Sequence, residues 1–390
     1  MVSRHSSDTP IPLWRDERFI RWGLQTLVLA VVIGVMGIMV VNMNRNLQQL
    51  GRQFDYTFLK NQSGFNIGEH ILPYSPDDTY GWALWVGYVN TLRLILVGFV
   101  ATTGVGILAG IASFSDNWLI RRLNLIYVEI VRNTPLLLQL FFWYLVVFFG
   151  LSDGSGVRRL AGIVYISKKG LYLPWPANTV STWVAIVSVF LLAFIAYYIW
   201  RWNLRQMEQF GRPSGIPRLL LWGIGAIALL LLSVGLNWSF PFLSNDKLII
   251  GGVRISLEYA AMLSGLTFYT GAFIAEIVRA GIQSVSKGQW EAARSLGLKT
   301  SAAMRLVVLP QALRVIIPSL NGQYMHLAKN SSLALAIGYP DIIATGQTTQ
   351  NQTGRAVEIV LLWAVTYLTM NLLISLVMNR LNQSVQIQER

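Results

Sequence analysis

Cysteine is absent from all 390 residues, which excludes disulfides, thiolate metal clusters and thiol nucleophiles. Histidine is scarce: His5, His70 and His326 lie far apart, without metal-ligand spacing. Charge is thin, at 13% of residues against about a quarter in a soluble domain. No Gly-x-x-x-x-Gly-Lys-Ser/Thr phosphate loop occurs; Gly297-Leu298-Lys299-Thr300 lacks both the leading glycine and the adjacent Gly-Lys pair. No Ser/His/Asp set or carboxylate pair is suited to chemistry on a substrate. The chain is therefore expected to catalyse nothing by itself and to hold no metal or cofactor of its own.

What the chain has instead is apolar length. Hydrophobic residues make up 54% and the mean hydropathy is +0.49. The net charge of +13 does not point to nucleic acid, because Lys and Arg flank apolar runs rather than forming a basic patch interleaved with aromatics. Runs able to cross about 30 Å of hydrocarbon number about eight: Gly23 to Val41, Val86 to Ser113, Thr134 to Gly150, Ser181 to Trp200, Leu219 to Leu236, Leu257 to Ile277, Ala312 to Ala328 and Val357 to Met378. Trp82, Trp85, Trp183, Trp200, Trp202 and Trp238 sit near their ends, as interfacial belts require. The first run exceeds a signal-peptide core and no clear Ala-x-Ala site follows, so an uncleaved anchor is expected.

Basic residues orient these spans. Arg4, Arg15, Arg18 and Arg21 precede the first, and Arg121, Arg122, Arg201, Arg205, Arg212 and Arg218 fall in later loops on the same side, so both termini are expected in the cytoplasm. One loop disagrees: Arg158, Arg159, Lys168 and Lys169 fall on the outer side, with only Asp153 nearby. A solvated loop is the simpler reading of that patch, and a seat for an acidic partner surface the sharper one.

The most specific stretch is polar and stranded between apolar spans. From Gly288 it reads Gly-Gln-Trp-Glu-Ala-Ala-Arg-Ser-Leu-Gly-Leu-Lys, and it closes on Leu309-Pro310. A short helix is expected, capped by Ser286, with Glu291 near its positive end and Gly297 as its stop. Thr300 is expected to cap a second one through Ala302, Ala303 and Met304. Ala292 and Ala293 would let a partner backbone approach closely, with Trp290 and Leu296 as apolar anchors.

Glu291-Ala292-Ala293, Gly297 and Leu309-Pro310 resemble the cytoplasmic coupling loop of permease subunits of bacterial ATP-binding-cassette importers. Tyr127-Val-Glu-Ile-Val-Arg-Asn-Thr-Pro-Leu-Leu-Leu-Gln139, Ala275-Glu-Ile-Val-Arg-Ala-Gly-Ile-Gln-Ser-Val285, Pro310-Gln-Ala-Leu-Arg314 and Lys329-Asn-Ser-Ser-Leu333 are similar to its polar amino-acid branch. The likeness covers about Asn90 to Gln139 and Leu257 to the C-terminus. It implies an all-α integral membrane protein, with about eight transmembrane helices around a type I importer core of five (the second, third, sixth, seventh and eighth spans) and a cytoplasmic coupling helix. On this reading residues 1–85 are an N-tail, an extra span and an outer loop, 86–150 the first part of the core, 151–255 an inserted loop and hairpin, and 256–390 the second part with the coupling loop 284–310.

The resemblance further implies a multi-pass protein of the bacterial inner membrane, importing polar L-amino acids by alternating access. Its implied partners are ATPase subunits carrying ATP and Mg, a second permease (a paralogue or a second copy), an extracytoplasmic amino-acid-binding protein and the lipid bilayer, with no nucleic acid. Docking is expected through Gln289, Trp290, Glu291, Ala292, Ala293, Gly297, Leu309 and Pro310. The runner-up is an ion-gradient-driven carrier, which would predict inverted repeats that the sequence does not display; a channel or structural subunit is a third reading.

Polar residues at membrane depth need a reason, since each ionised side chain costs roughly 2.5 to 3.5 kcal/mol there on insertion scales. Glu276 and Arg279 lie one turn apart, which suits an ion pair as well as a lining of the substrate path. Asn133 and Pro135 suit the start of the third span, where Asn133, Thr134 and Gln139 are candidates for the path beside plain capping. Glu129 is expected to pair with Arg132. Lys329, Asn330, Ser331 and Ser332 come at the outer end of the seventh span, where gating the path and simply meeting water are both open readings. Gly106 and Gly110 form a small-xxx-small pair that permits close helix contact.

Overall fold

The computed structural model describes residues 17–49, 51, 53–151, 157–160, 162–210, 215–244 and 248–386. Arg4, Arg15, Asp153 and Arg212, used in the charge argument, lie outside them. Every apolar run expected to span is helical. Among the described residues, six helices are long and apolar enough to cross a membrane: Arg21–Gln49, Tyr80–Ala112, Val180–Asn203, Leu257–Gln283, Thr300–Ile337 and Ala356–Val385. The fifth expected span, Leu219–Gly235, is a shorter apolar helix.

The third expected span is half of a broken one. Helix α3 (Trp118–Asn133) meets α4 (Leu136–Phe141), which runs on as a π-helix to Phe149, at a bend of 112°. The break is local chemistry. Pro135 offers no N–H and pushes the residue before it out of the helical region, and Thr134 duly sits at φ −110°, ψ 135°.

The bundle is built on α2 (Tyr80–Ala112) and α7 (Leu257–Gln283), which pack along much of their length. Glycines make that approach close: a Cβ on Gly110 would fall 2.6 Å from Val278, and Gly106 lies against Ile274. The small-xxx-small pair thus serves this helix contact. Leu140 of α4 packs with Leu94, Met262 and Leu266, and α10 (Leu309–Asn330) joins through Ala312 and Ile316. Met370 of α12 (Ala356–Val385) closes the group against Leu327 and Ala328.

Outside this five-span cluster lie α1 (Glu17–Gln49), none of whose apolar window is buried, and α5 (Val180–Phe210), which packs on α6 (Gly215–Leu230). Strands were not expected, yet a small antiparallel sheet stands at the Leu257 end of α7. Its order is β1 (Val157–Leu160), β2 (Val164–Ser167), β3 (Gly170–Leu173), then a strand at Val253–Ile255 that leads straight into α7. These strands are too short for alternation to show in sequence. Two two-stranded pairings flank it, Trp175–Pro176 (β4) with Trp238–Ser239 (β5), and Phe242–Leu243 (β6) with Ile249–Ile250 (β7); the Val253–Ile255 strand is β8.

Residues 53–79 fold back over the same end. Phe58 packs with Tyr80, Leu84, Ile342 and Ile359, and Arg355 reaches Gln53 O at 2.6 Å, Asp55 at 3.3 Å and buried Glu358 at 3.1 Å.

Candidate functional site

After α7 the chain turns once and forms α8 (Lys287–Ser295) and α9 (Thr300–Ala303), which winds through a π-turn into α10. Two expected caps differ. Ser286 occupies the N-cap position of α8 without a side-chain hydrogen bond, and Lys299, not Thr300, precedes α9. The stop holds: Gly297 at φ +73° lets its own N–H reach Arg294 O at 2.9 Å and Leu298 N–H reach Ala293 O at 3.1 Å.

The two faces of α8 divide the docking candidates. Ala293 is buried, and Trp290 packs on the cluster of Ile282, Val285 and Val308, so both brace the helix on its own bundle. Glu291 and Ala292 face outward with Leu296, which is 81% exposed just beyond. Gln311 Nε2 donates to Gln289 Oε1 at 3.2 Å and to Val307 O at 3.0 Å, tying α8 to α10. Leu309 is partly exposed, and Pro310 sits in the first turn of α10, directly after the π-turn at Met304–Val308.

At the α3–α4 elbow the polar candidates bond to backbone. Gln139 Nε2 donates to Val131 O at 2.9 Å and Thr134 Oγ1 at 2.8 Å, and Thr134 Oγ1 donates to Ile130 O at 2.9 Å. These contacts satisfy carbonyls orphaned by the break. Asn133 does not cap the following helix; it ends α3 and donates to Glu129 O at 2.8 Å. Nor does Glu129 hold Arg132, because that guanidinium turns to α7.

There the charges converge. Arg279 Nε donates to Glu276 Oε2 at 3.0 Å and a second nitrogen closes on Oε1, while Arg132 Nη1 stands 3.7 Å from Oε2. Arg279 also donates to Gln283 at 2.9 Å, and Arg132 lies over the Phe273 ring at 5.4 Å. Two guanidiniums on one half-exposed carboxylate leave a positive surplus. Arg132 thus joins Glu276 and Arg279 in space, where the sequence had paired it with Glu129, since no spacing signal links two residues on different helices. The Asn330 to Ser332 group stands apart: Ser331 is buried and donates to Ala328 O at 2.8 Å, Ser332 donates to Lys329 O at 2.7 Å, and Asn330 ends α10.

At the end of α7 away from α8, Glu69 pairs with Arg93 and accepts from Ser256 N at 3.0 Å, and Arg93 stacks over Tyr259 at 4.0 Å. Asp341 caps α11 (Ile342–Thr353) by accepting from Ala344 N at 2.8 Å. Burial pushes its carboxyl up to about 7, against the pull of backbone N–H groups.

Residues 213–387 match the family described as binding-protein-dependent transport system inner membrane component. The chain is 38% identical over 372 residues to the general L-amino acid transport system permease protein AapQ of Rhizobium johnstonii, spanning 94% of this chain and 92% of that protein. It is 36% identical over 413 residues to the glutamate/glutamine/aspartate/asparagine transport system permease protein BztB of Rhodobacter capsulatus, spanning 96% of each. The chain belongs to the amino-acid ABC transporter permeases. A crystal structure of an amino acid ABC transporter with histidines aligns at a TM-score of 0.47 and 22% identity, over 78% of this chain and 95% of that one. The permease is a multi-pass inner-membrane protein whose part in the work is transport.

Proposed function

We propose that this permease is the membrane-spanning subunit of an ATP-driven importer of polar L-amino acids, with both termini in the cytoplasm. Its partners would be ATPase subunits carrying ATP and Mg, a second permease (a paralogue or a second copy), and an extracytoplasmic amino-acid-binding protein. The observation that carries the reading is α8: braced inward by Trp290 and Ala293, it presents Glu291, Ala292 and Leu296 to something outside the chain. An ion-gradient carrier gives that helix no task.

In this mechanism the ATPase dimer closes and pushes α8, and the push passes to α10 through Gln289 and Gln311 and to α7 through the one-turn connection. The spans swing from inward- to outward-facing, the binding protein releases its amino acid, and hydrolysis resets the inward state. Glu276 has its oxygens engaged by arginine, so the surplus charge of Arg132 and Arg279 suits the substrate carboxylate better than Glu276 suits its ammonium. Gln139, Thr134 and Asn133 would then hold the elbow that aims Arg132, while Asn330, Ser331 and Ser332 shape the far end of α10.

Glu291→Lys should abolish ATP-dependent amino-acid uptake and ATPase co-purification while membrane insertion stays normal. Wild-type uptake by an inserted variant would overturn the docking role.

A further inference from the structure

A cavity of about 370 Å³ opens at the end of α7 opposite α8, bounded by residues 65–69, the β2–β3 hairpin and α11. That volume falls within the roughly 300–1,000 Å³ of small-molecule sites. Its polar lining is of mixed charge, with Lys168, Lys169 and Arg254 on one side and Glu69, Glu258 and Ser256 on the other.

Most of the negative charge is spent internally. Glu69 is engaged by Arg93 and by Ser256 N, and Glu258 Oε1 accepts from Tyr144 at 3.0 Å, leaving its other oxygen. Arg254 donates to Gly68 O at 3.1 Å, a neutral partner, and neither lysine ammonium has an ion pair among the described residues. The cavity therefore offers three cations without a counter-charge beside one partly open carboxylate.

The placement of those cations is fixed by the fold. Ser167 pairs with Gly170, so Lys168 and Lys169 form the two-residue tip of the hairpin. Gly170, at φ +144°, brings that tip so near β8 that a Cβ would fall 2.5 Å from Ile255 O, and β8 carries Arg254 beside it. The glycine pins the lysines to the arginine.

We propose that this cavity binds an acidic L-amino acid, with its two carboxylates on Lys168, Lys169 and Arg254 and its ammonium on Glu258. The identification of the ligand as an amino acid rests on the importer reading above; the charge pattern selects the dicarboxylic kind. Such a site would gather substrate at the surface remote from the ATPase contact, apart from the Arg132–Glu276 cluster.

The test uses the permease with its co-purifying subunits in nanodiscs, without binding protein, and radiolabelled L-glutamate against L-glutamine and L-lysine. Glutamate should bind tightest, and Lys168→Gln with Lys169→Gln should weaken it by about tenfold or more. Both lysine side chains are exposed at a turn, so folding is unaffected. Glu258→Gln, which leaves the hairpin alone, should weaken glutamate while sparing N-acetyl-L-glutamate, which lacks the ammonium. Unchanged glutamate affinity in the lysine variant, or no glutamate binding to the unaltered complex, overturns the site. ATP-driven uptake by the same complex, reconstituted into sealed proteoliposomes together with its binding protein, separates the two readings: uptake with no lysine dependence of binding refutes this site alone, and lysine-dependent binding without ATP-driven uptake refutes the importer.

Discussion

Asp341 is the residue whose chemistry is most legible as a number. Its unfolded carboxyl titrates near 3.8 and burial raises the folded one to about 7, so between those pH values the folded state holds a proton that the unfolded state has lost. Stability from that proton is full in acid and drains away as pH rises through the window, then levels off above it. Asp341→Asn keeps the cap on Ala344 and removes the titration. The variant should gain melting temperature over the parent most at pH 8, less than half as much at pH 5 and little or none below pH 4 in the same detergent; equal gains at all pH values would contradict the burial argument. Arg132 makes a second prediction at this scale. Arg132→Gln should raise the substrate KM for uptake severalfold with ATPase docking intact, whereas a loss of ATPase co-purification instead would assign it a structural part.

At the scale of elements, glycines decide whether helices meet and stop. Gly110→Leu would drive a side chain into Val278 where no Cβ fits, and overpacking of that kind costs about 1–3 kcal/mol. The expected readout is a melting temperature lowered by several degrees, and a rescue by Val278→Ala would locate the clash. Gly297→Val acts differently. Its position is open to solvent on the Cβ side but left-handed, so the penalty of roughly 1–2 kcal/mol is backbone strain that unravels the end of α8. ATP-driven uptake should fall with the bundle's melting temperature unchanged, and a parallel loss of both would mean that α8 is braced less independently than Trp290 and Ala293 suggest.

The whole molecule divides into a packed five-span cluster and helices that bury little. With α1 fully exposed along its apolar window, its partners are lipid or another chain, not this one. A protease site introduced after Gly51 and cut in detergent should therefore leave the melting temperature of the remainder within about 2 °C, since deleting exposed surface removes little burial. A large fall would reveal contacts of α1 with the bundle. The segment over the opposite end of α7 is another matter: Arg355 binds Gln53, Asp55 and Glu358 together, so it is an integral part of the core's end rather than a loose loop.

Much of this was open to reading from residues in order. Apolar runs must become helices in lipid, because backbone polar groups find no water there, so the spans were legible from length and hydropathy. The Pro135 break, the Gly297 stop and the Glu276–Arg279 pair are likewise local, set within a turn or two of chain. The short strands were not legible, because each is stabilised by neighbours from Val157 to Ile255 rather than by its own pattern. Nor was the inward turn of Trp290, which depends on the groove made by Val285 and Val308, or the meeting of Arg132 with Glu276, which depends on how α3 crosses α7. Sequence alone determined which segments are helical and which family words they carry; only tertiary packing decided which charges face one another, because a Coulomb partner is chosen by distance in space and the chain records only distance along itself.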